Sequence, residues 1–375
     1  MGRMGKCDAE KMTERHDKVN DSPYFSIILP SYGVERFLSH ALDDLVSQTF
    51  SCWEAIVVDD CSPDKSRDVA ERFAAEDPRI RIAIHEENRG LSAARNTGLQ
   101  KARGKYVWFP DPDDRYGKHL LEKVHASLEH AKSPVVLIGH AEEYYSGSNE
   151  PGNVVDFALQ DAVLSQSELR KAVIDLEKKT QYGYAWNKIY ERDYLIEGSL
   201  LFVEDLPLIE DIEFNIRAFQ DLSSLNIVGE PLYHYAKREA ANLTNKFVPE
   251  YYEVHRKRIQ LMRDQQASWG LLDDRAKSIL GALYARYIFS ALERNLQLES
   301  QMDKKQQFAW CESVFKDPLF LELVSNAQAD SAMLRVCIKL LQKQDAAACL
   351  RVARIIRRCK EGSFHGVFLW LKSKR

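Results

Sequence analysis

Three aspartates within four residues, Asp111, Asp113 and Asp114, follow directly on the apolar run Tyr106-Val107-Trp108-Phe109. Carboxylates crowded at the tip of a buried strand repel one another and lose hydration. A divalent cation removes that penalty. Hard cations such as Mg²⁺ or Mn²⁺ take carboxylate oxygens and leave coordination positions for a phosphate. The competing reading is an acidic turn, since Pro and Asp are ordinary turn residues. Two other polar clusters, Pro30-Ser31-Tyr32 and Asp59-Asp60, also close apolar runs.

These clusters need elements to hold them. Residues 25–30 form a continuous apolar run, short enough for a strand buried on both faces. Val34, Phe37, Leu38, Ala41, Leu42 and Leu45 then recur at helical spacing. A second strand over residues 55–58 ends at Asp59-Asp60, and Ser62-Pro63-Asp64 supplies a turn and N-cap for a helix carrying Val69, Ala70 and Phe73. Residues 80–84 read as strand, 91–102 as helix and 106–109 as strand. Leu120, Leu121, Val124 and Leu128 mark another helix, and residues 135–138 another strand. Such alternation predicts an α/β fold, a mostly parallel sheet flanked by crossover helices. Ligands bind beyond the carboxyl ends of strands in such sheets, where all three polar clusters fall.

The chain has 375 residues, 45% hydrophobic and 29% charged, with net charge −4. That is ordinary for a water-soluble protein and offers no global footprint for nucleic acid. Its seven cysteines show no CxxC or Cys/His ligand spacing, which argues for reduced thiols in a cytoplasm and against a zinc module or disulfide framework. No apolar run approaches the ~20 residues that span a bilayer. Residues 1–23 are polar, lack the apolar core of a signal peptide and read as a flexible leader. Met1-Gly2 hints at myristoylation, but Lys6 stands where Ser or Thr is required. After residue 248 strand-like alternation gives way to helical periods, such as Leu280, Leu283, Tyr284, Tyr287 and Ile288, so a helical domain is expected over 249–375.

No G-x-G-x-x-G follows the first strand and no G-x-x-x-x-G-K-[ST] occurs, which removes dinucleotide-binding Rossmann enzymes and P-loop NTPases. A nucleotidyltransferase would carry a Gly-rich basic loop where this chain has Ser31-Tyr32-Gly33-Val34-Glu35. The pattern that remains joins residues 27–32, Ser47-Gln48-Thr49-Phe50, residues 57–62, residues 88–98 and Asp111-Pro112-Asp113-Asp114. In order and spacing it resembles family 2 glycosyltransferases of the GT-A fold. The resemblance is close over residues 24–130. It continues more loosely through residues 186–190, Glu210-Asp211 and residues 234–245.

The resemblance implies a GT-A domain over residues 24–248 and an inverting, sugar-nucleotide-dependent transferase that uses Mn²⁺ or Mg²⁺. A bound cation offsets charge on a nucleoside diphosphate leaving group. Asp113 and Asp114, with Asp111, are then the holders of that cation and of the ribose hydroxyls. Asp60 corresponds to the residue that reads the base edge, and Tyr32, beside Pro30, is placed to stack on the base. Arg95 and Asn96 correspond to a stretch near the diphosphate and sugar. Residues 208–214 resemble the family's Glu-Asp motif at a helix start, which makes Asp211 the general base and Glu210 the neighbour that tunes it. Acids in a helix first turn are also what the macrodipole favours.

Trp186 and Lys188 fall on the donor-sugar or acceptor wall. Lys237 and Arg238 would close over the diphosphate, and His234 would complete the metal shell. A buried Trp and a solvated polar stretch are the plainer alternatives. Three positions depart from common family wording: Gly33 for Asn, Cys61 for Gly and Pro112 for Ser. None removes a carboxylate.

At the far end Arg351, Arg354, Arg357, Arg358 and Lys360, with Lys372, Lys374 and Arg375, accompany Val352, Ile355, Ile356 and a Phe/Trp/Leu-rich stretch. That mixture suits either an interfacial helix on an anionic membrane or a terminal helix packed on its own domain. The combined expectation is a cytoplasmic, peripherally membrane-associated glycosyltransferase. It would move a hexose or N-acetylhexosamine, most readily from a UDP-sugar, to a glycan or lipid-linked acceptor of a bacterial surface polysaccharide. The alternative is a non-catalytic sugar-nucleotide-binding protein of the same fold.

Overall fold

The computed structural model describes residues 22–145, 150–206, 208–238 and 248–361. The first half alternates as expected: β1 (Phe25–Ser31), α1 (Glu35–Val46), β2 (Trp53–Asp59), α2 (Ser66–Glu76), β3 (Ile80–Ile84), α3 (Leu91–Lys101) and β4 (Tyr106–Trp108). The short β5 (Arg115–Tyr116), α4 (Leu120–His130), β6 (Val135–Tyr145), β7 (Asn153–Phe157), β8 (Ala162–Ser165) and α5 (Gln166–Lys178) follow. The sheet region closes with β9 (Lys188–Glu191), α6 (Arg192–Glu197), α7 (Glu210–Gln220) and β10 (Ser224–Arg238).

Strand order is β3-β2-β1-β4-β9-β6-β10-β5, with β7 on β6 and β8 on β10. Every residue of β1 and β2 is buried, because helices cover both faces of this parallel part. Leu38, Ala41, Leu42 and Leu45 form the buried stripe of α1. Helix α3 reaches β1 closely through Gly98, where an added Cβ would lie 2.2 Å from Ile28 Cγ2. This approach brings Arg95 and Asn96 over the strand ends.

The expected sheet flanked by helices is present, parallel from β3 through β2 and β1 to β4 and mixed beyond β4. Five of the nine strand pairings are antiparallel, those involving β5, β7, β8 and β9, and the sheet is mixed. These are short returning strands, and only parallel neighbours require a long crossover.

Beyond residue 248 the chain is helical: α8 (Tyr251–Ser268), α9 (Asp274–Asn295), α10 (Lys304–Phe315), α11 (Pro318–Leu323), α12 (Ala332–Gln342) and α13 (Ala346–Glu361). A single hydrophobic cluster runs from Ile28 and Phe109 in the sheet region to Leu280 and Leu323 in these helices. Polar ties cross the same junction: Arg258 on α8 pairs with Glu177 on α5 at 2.6 Å, and Tyr182 Oη donates to Gln265 Oε1 at 2.9 Å. Among the described residues no helix is long and apolar enough to cross a membrane. Ala353 and Ile356 of α13 are buried in the core, so much of that helix's apolar side is used internally. The polar leader up to residue 21, residues 239–245 of the looser motif, and the end containing Lys372, Lys374 and Arg375 lie outside the described residues.

Candidate active site

Pro30 is buried in β1 beside Val58, while Tyr32, one residue past the strand, is 51% exposed and available for stacking. Gly33 follows at φ +67°, a conformation glycine adopts without a Cβ clash. At the end of β2 the two aspartates diverge. Asp59 accepts from Arg67 Nε and Nη2 at 2.9 and 2.7 Å. Asp60 is buried and contacts His85 Nδ1 at 2.6 Å, and it accepts from the backbone N–H groups of Arg89 and Gly90 at 2.9 and 2.7 Å. Asp60 therefore anchors the loop leading into α3, and the base-edge role expected of it has to share oxygens already in use. Cys61, where the family commonly has glycine, keeps a left-handed backbone at φ 58°.

The turn after β4 divides its three carboxylates. Asp114 is fully internal: its Oδ2 accepts from Tyr233 Oη at 2.5 Å and its Oδ1 from Ala236 N at 2.8 Å. Burial, then Asp113 and Asp111, push its carboxyl well above the ordinary range. Asp113 is about half exposed, with Arg238 donating to its backbone oxygen at 2.7 Å, and burial raises its carboxyl too. Asp111 gives one oxygen to Arg95 Nη2 at 3.1 Å. Burial pushes its carboxyl up to about 7, with Asp113 and Asp211 adding and Arg95 opposing. Tyr116 Oη, donating to the Asp111 carbonyl at 2.8 Å, and Tyr233 Oη, accepting from Asp111 N at 3.1 Å, fasten the turn to β5 and β10.

Arg95 is the hub. It is 1% exposed, and its Nη1 donates to Asp211 Oδ1 at 2.5 Å while its Nη2 reaches Asp111. Burial works against the guanidinium charge, but Asp211 and Asp111 more than offset it and raise its pKa. Arg95 also lies 5.0 Å above the ring of Phe202. Asn96 does different work: its side chain both donates to and accepts from the Phe202 backbone, at 2.9 and 2.8 Å, and so fixes the segment before α7. Glu210 opens α7, and burial followed by the Asp211 charge pushes its carboxyl up to about 7. Arg95 Nε and Glu210 Oε2 are buried without a hydrogen-bond partner among the described residues.

The second oxygen of Asp211 accepts from Ala185 N at 3.0 Å. Residues 181–187 are therefore part of the site, and what holds them was missed in the sequence. Lys188 Nζ, fully buried, donates to the carbonyls of Gln181, Tyr182 and Tyr184 and to Asn187 Oδ1, between 2.5 and 3.1 Å. Burial lowers its ammonium to about 7, with Asp211 and Glu177 opposing. Asn215 Nδ2 on α7 takes the Tyr182 and Tyr184 carbonyls from the other side, at 3.1 and 3.0 Å. Lys188 thus stands behind the wall it was expected to line. Trp186 is likewise internal, stacked on Tyr233 at 4.4 Å and Tyr184 at 4.6 Å. The only sequence signal for this support was an unusual Asn-Lys pair inside an apolar strand start.

At the end of β10, His234 turns to Glu143 at 3.0 Å. Its strand neighbours Tyr233 and Tyr235 instead stack on Trp186. Strand alternation therefore sends His234 to the opposite face. Lys237 pairs with Glu142 at 2.5 Å, and Arg238 sits over Phe37 at 4.2 Å beside Asp113. The fold thus gathers Arg95, Asp111, Asp211 and Glu210, with Asp113 and Arg238 at the rim. It commits Asp60, Asn96, Asp114, Trp186 and Lys188 to internal partners.

Among the described residues no group of three or more His, Cys, Asp or Glu side chains is arranged to hold a metal ion. A Mg²⁺ or Mn²⁺ ion bound mainly by substrate phosphate and water needs only one or two carboxylates. Asp111 and Asp113, the two partly exposed carboxylates of the turn, fit that demand. Asp114 and His234 have other partners.

A model of the glycosyl transferase family 2 domain matches residues 26–196. The chain is 36% identical over 214 residues to an uncharacterized glycosyltransferase, EpsJ, of Bacillus subtilis, covering 57% of this chain and 61% of EpsJ. It is 29% identical over 238 residues to TarS of Staphylococcus aureus, a poly(ribitol-phosphate) beta-N-acetylglucosaminyltransferase, covering 62% of this chain and 39% of TarS. The chain thus spans about three-fifths or less of these relatives. The structure of S. aureus TarS residues 1–349 with UDP-GlcNAc superposes with TM-score 0.62 at 22% identity, over 89% of this chain and 91% of that one. That likeness establishes the GT-A fold, including the helical region that follows the sheet.

Proposed function

Starting from glycosyl transferase family 2, to which residues 26–196 belong, we propose that this chain is an inverting transferase of surface-polysaccharide or teichoic acid synthesis. It transfers a hexose or N-acetylhexosamine from a UDP-sugar to a glycan or lipid-linked acceptor. The observation that carries this reading is the Arg95 bridge, one guanidinium held between Asp111 at the strand edge and Asp211 at the start of α7. It sets a candidate base and a candidate phosphate-metal carboxylate on either side of one cation.

In the reaction the acceptor oxygen bonds to the anomeric carbon as its proton passes to Asp211. The bond from that carbon to the diphosphate oxygen breaks, UDP leaves, and the single displacement inverts the centre. Ala185 N and Arg95 aim the Asp211 carboxylate. Positioned general bases contribute on the order of 10²–10⁴ in rate. Asp111 and Asp113 are the residues that would hold Mg²⁺ or Mn²⁺, which when bound would supply charge neutralisation for the departing diphosphate. Arg95 Nε and Glu210 Oε2, buried without partners among the described residues, are groups a donor or acceptor would satisfy.

UDP-GlcNAc, the ligand in the TarS complex, is the donor to test first, beside other UDP-sugars and GDP-, CMP- and dTDP-sugars. Thermal stabilisation by UDP-sugars that is lost on chelating Mn²⁺, with UDP release on adding acceptor, is the expected result. Stabilisation without any sugar transfer or hydrolysis would leave the non-catalytic binding protein as the correct reading.

A further inference from the structure

Residues 331–361 contain eight Lys or Arg against two Asp or Glu, in a chain whose net charge is −4. The excess sits on the hairpin of α12 and α13. Both helices pack on α9. The buried side of α12 is Cys337, Ile338 and Leu341, and that of α13 is Cys349, Leu350 and Ala353. Their outer sides expose Arg335, Lys339, Arg351 and Arg358. None of these four makes an ion pair with another described residue. Among them Met333, Val336 and Ile355 are 54%, 48% and 57% exposed.

We propose that the outer side of this α12–α13 hairpin docks on an anionic lipid bilayer. Clustered cations are attracted to acidic headgroups, and apolar side chains between them enter the interface. Apolar residues would add nothing on a nucleic acid backbone, which rewards charge alone. A second copy of the same face would set like charges together. The chain's own segment 362–375 contains Lys372, Lys374 and Arg375 and no Asp or Glu, so its composition offers no charge complement to this face. The apolar side of α13 cannot serve as the inserted surface, because Ala353 and Ile356 are in the core. In the proposed function such a surface would keep the enzyme beside a lipid-linked acceptor. The docking itself does not depend on that function.

The test is sedimentation of the full chain with phosphatidylcholine vesicles, with and without phosphatidylglycerol. The wild type should bind only the acidic vesicles and release at high salt. R335E/K339E/R351E/R358E should bind at least tenfold more weakly, and M333S/V336S/I355S should also lose binding. Unchanged thermal unfolding would show that the variants fold, and their response to UDP-sugars reports separately on the donor site. Absence of wild-type binding would overturn the inference. So would a charge-reversed variant that binds as the wild type does, which would assign the affinity to residues 362–375.

Discussion

The turn after β4 and the start of α7 each present adjacent acids, and the fold treats them in opposite ways. In the turn, the aspartate with donors on both oxygens is Asp114, which is buried away from the rim. At α7, the aspartate with donors on both oxygens is Asp211, which stays at the site. Their neighbours Asp111 and Glu210 are left with carboxyls pushed up to about 7. Adjacent carboxylates thus acquire separate roles from the donors that reach them. Among the described residues Arg95 is the one donor common to both regions.

The strongest way to break this comparison is D211N, which keeps the shape, removes the proton acceptor and gives up one of the two accepting positions used by Arg95 and Ala185. The rate of sugar transfer should fall about 10³-fold with the donor thermal shift intact. Wild-type turnover would remove Asp211 from the mechanism.

Lys188 supports only the α7 side. K188M should remove one of the two donors to each of the Gln181, Tyr182 and Tyr184 carbonyls, leaving Asn187 on the first and Asn215 on the others, lowering stability by about 1–2 kcal/mol in urea unfolding and slowing transfer through the loosened Ala185 contact. Unchanged stability would show that Asn215 alone holds the loop. On the other side, D114N should cost ~2 kcal/mol, since an amide cannot accept on both positions. Its Mn²⁺ response should survive, whereas D113A should abolish that response.

The pH dependence sharpens the contrast. The Glu210 carboxyl rises from 4.5 to about 7 on folding, so its stabilising contribution is complete below about pH 4.5 and gone above about pH 7. The wild type should therefore lose melting temperature from pH 5 to pH 8. E210Q should flatten that slope and be the more stable protein at pH 8. The smallest effect is expected of H234A, whose ring is already paired with Glu143. Its Mn²⁺ dependence should match the wild type, and a large loss of metal response would place His234 in the shell after all.

Much of the first half was legible because its signals are local. Residues 80–84 were read as a strand and β3 spans Ile80–Ile84, and the helix expected over 91–102 is α3. Asp111–Asp114 fall where an apolar run had to end. Past β4 the same reasoning lost the antiparallel strands, since β9 starts at Lys188, a charged residue no period-2 pattern assigns to a core. Trp186 and Lys188 looked like wall residues because sequence distinguishes a polar group facing ligand from one facing carbonyls only when its partners are near in the chain. Cys61 shows the opposite limit: the left-handed backbone persists although the usual glycine does not.

By itself the sequence determined the resemblance to family 2 glycosyltransferases, the strand tips that carry polar groups and the acids available there, since these follow from motif order and short-range period. Only the tertiary structure decided which carboxylate stays at the candidate site and which is taken up by internal partners. Arg95 meets Asp211 across 116 residues and Tyr233 meets Asp114 across 119. In a buried site it is such distant donors that set the role and proton affinity of each acid.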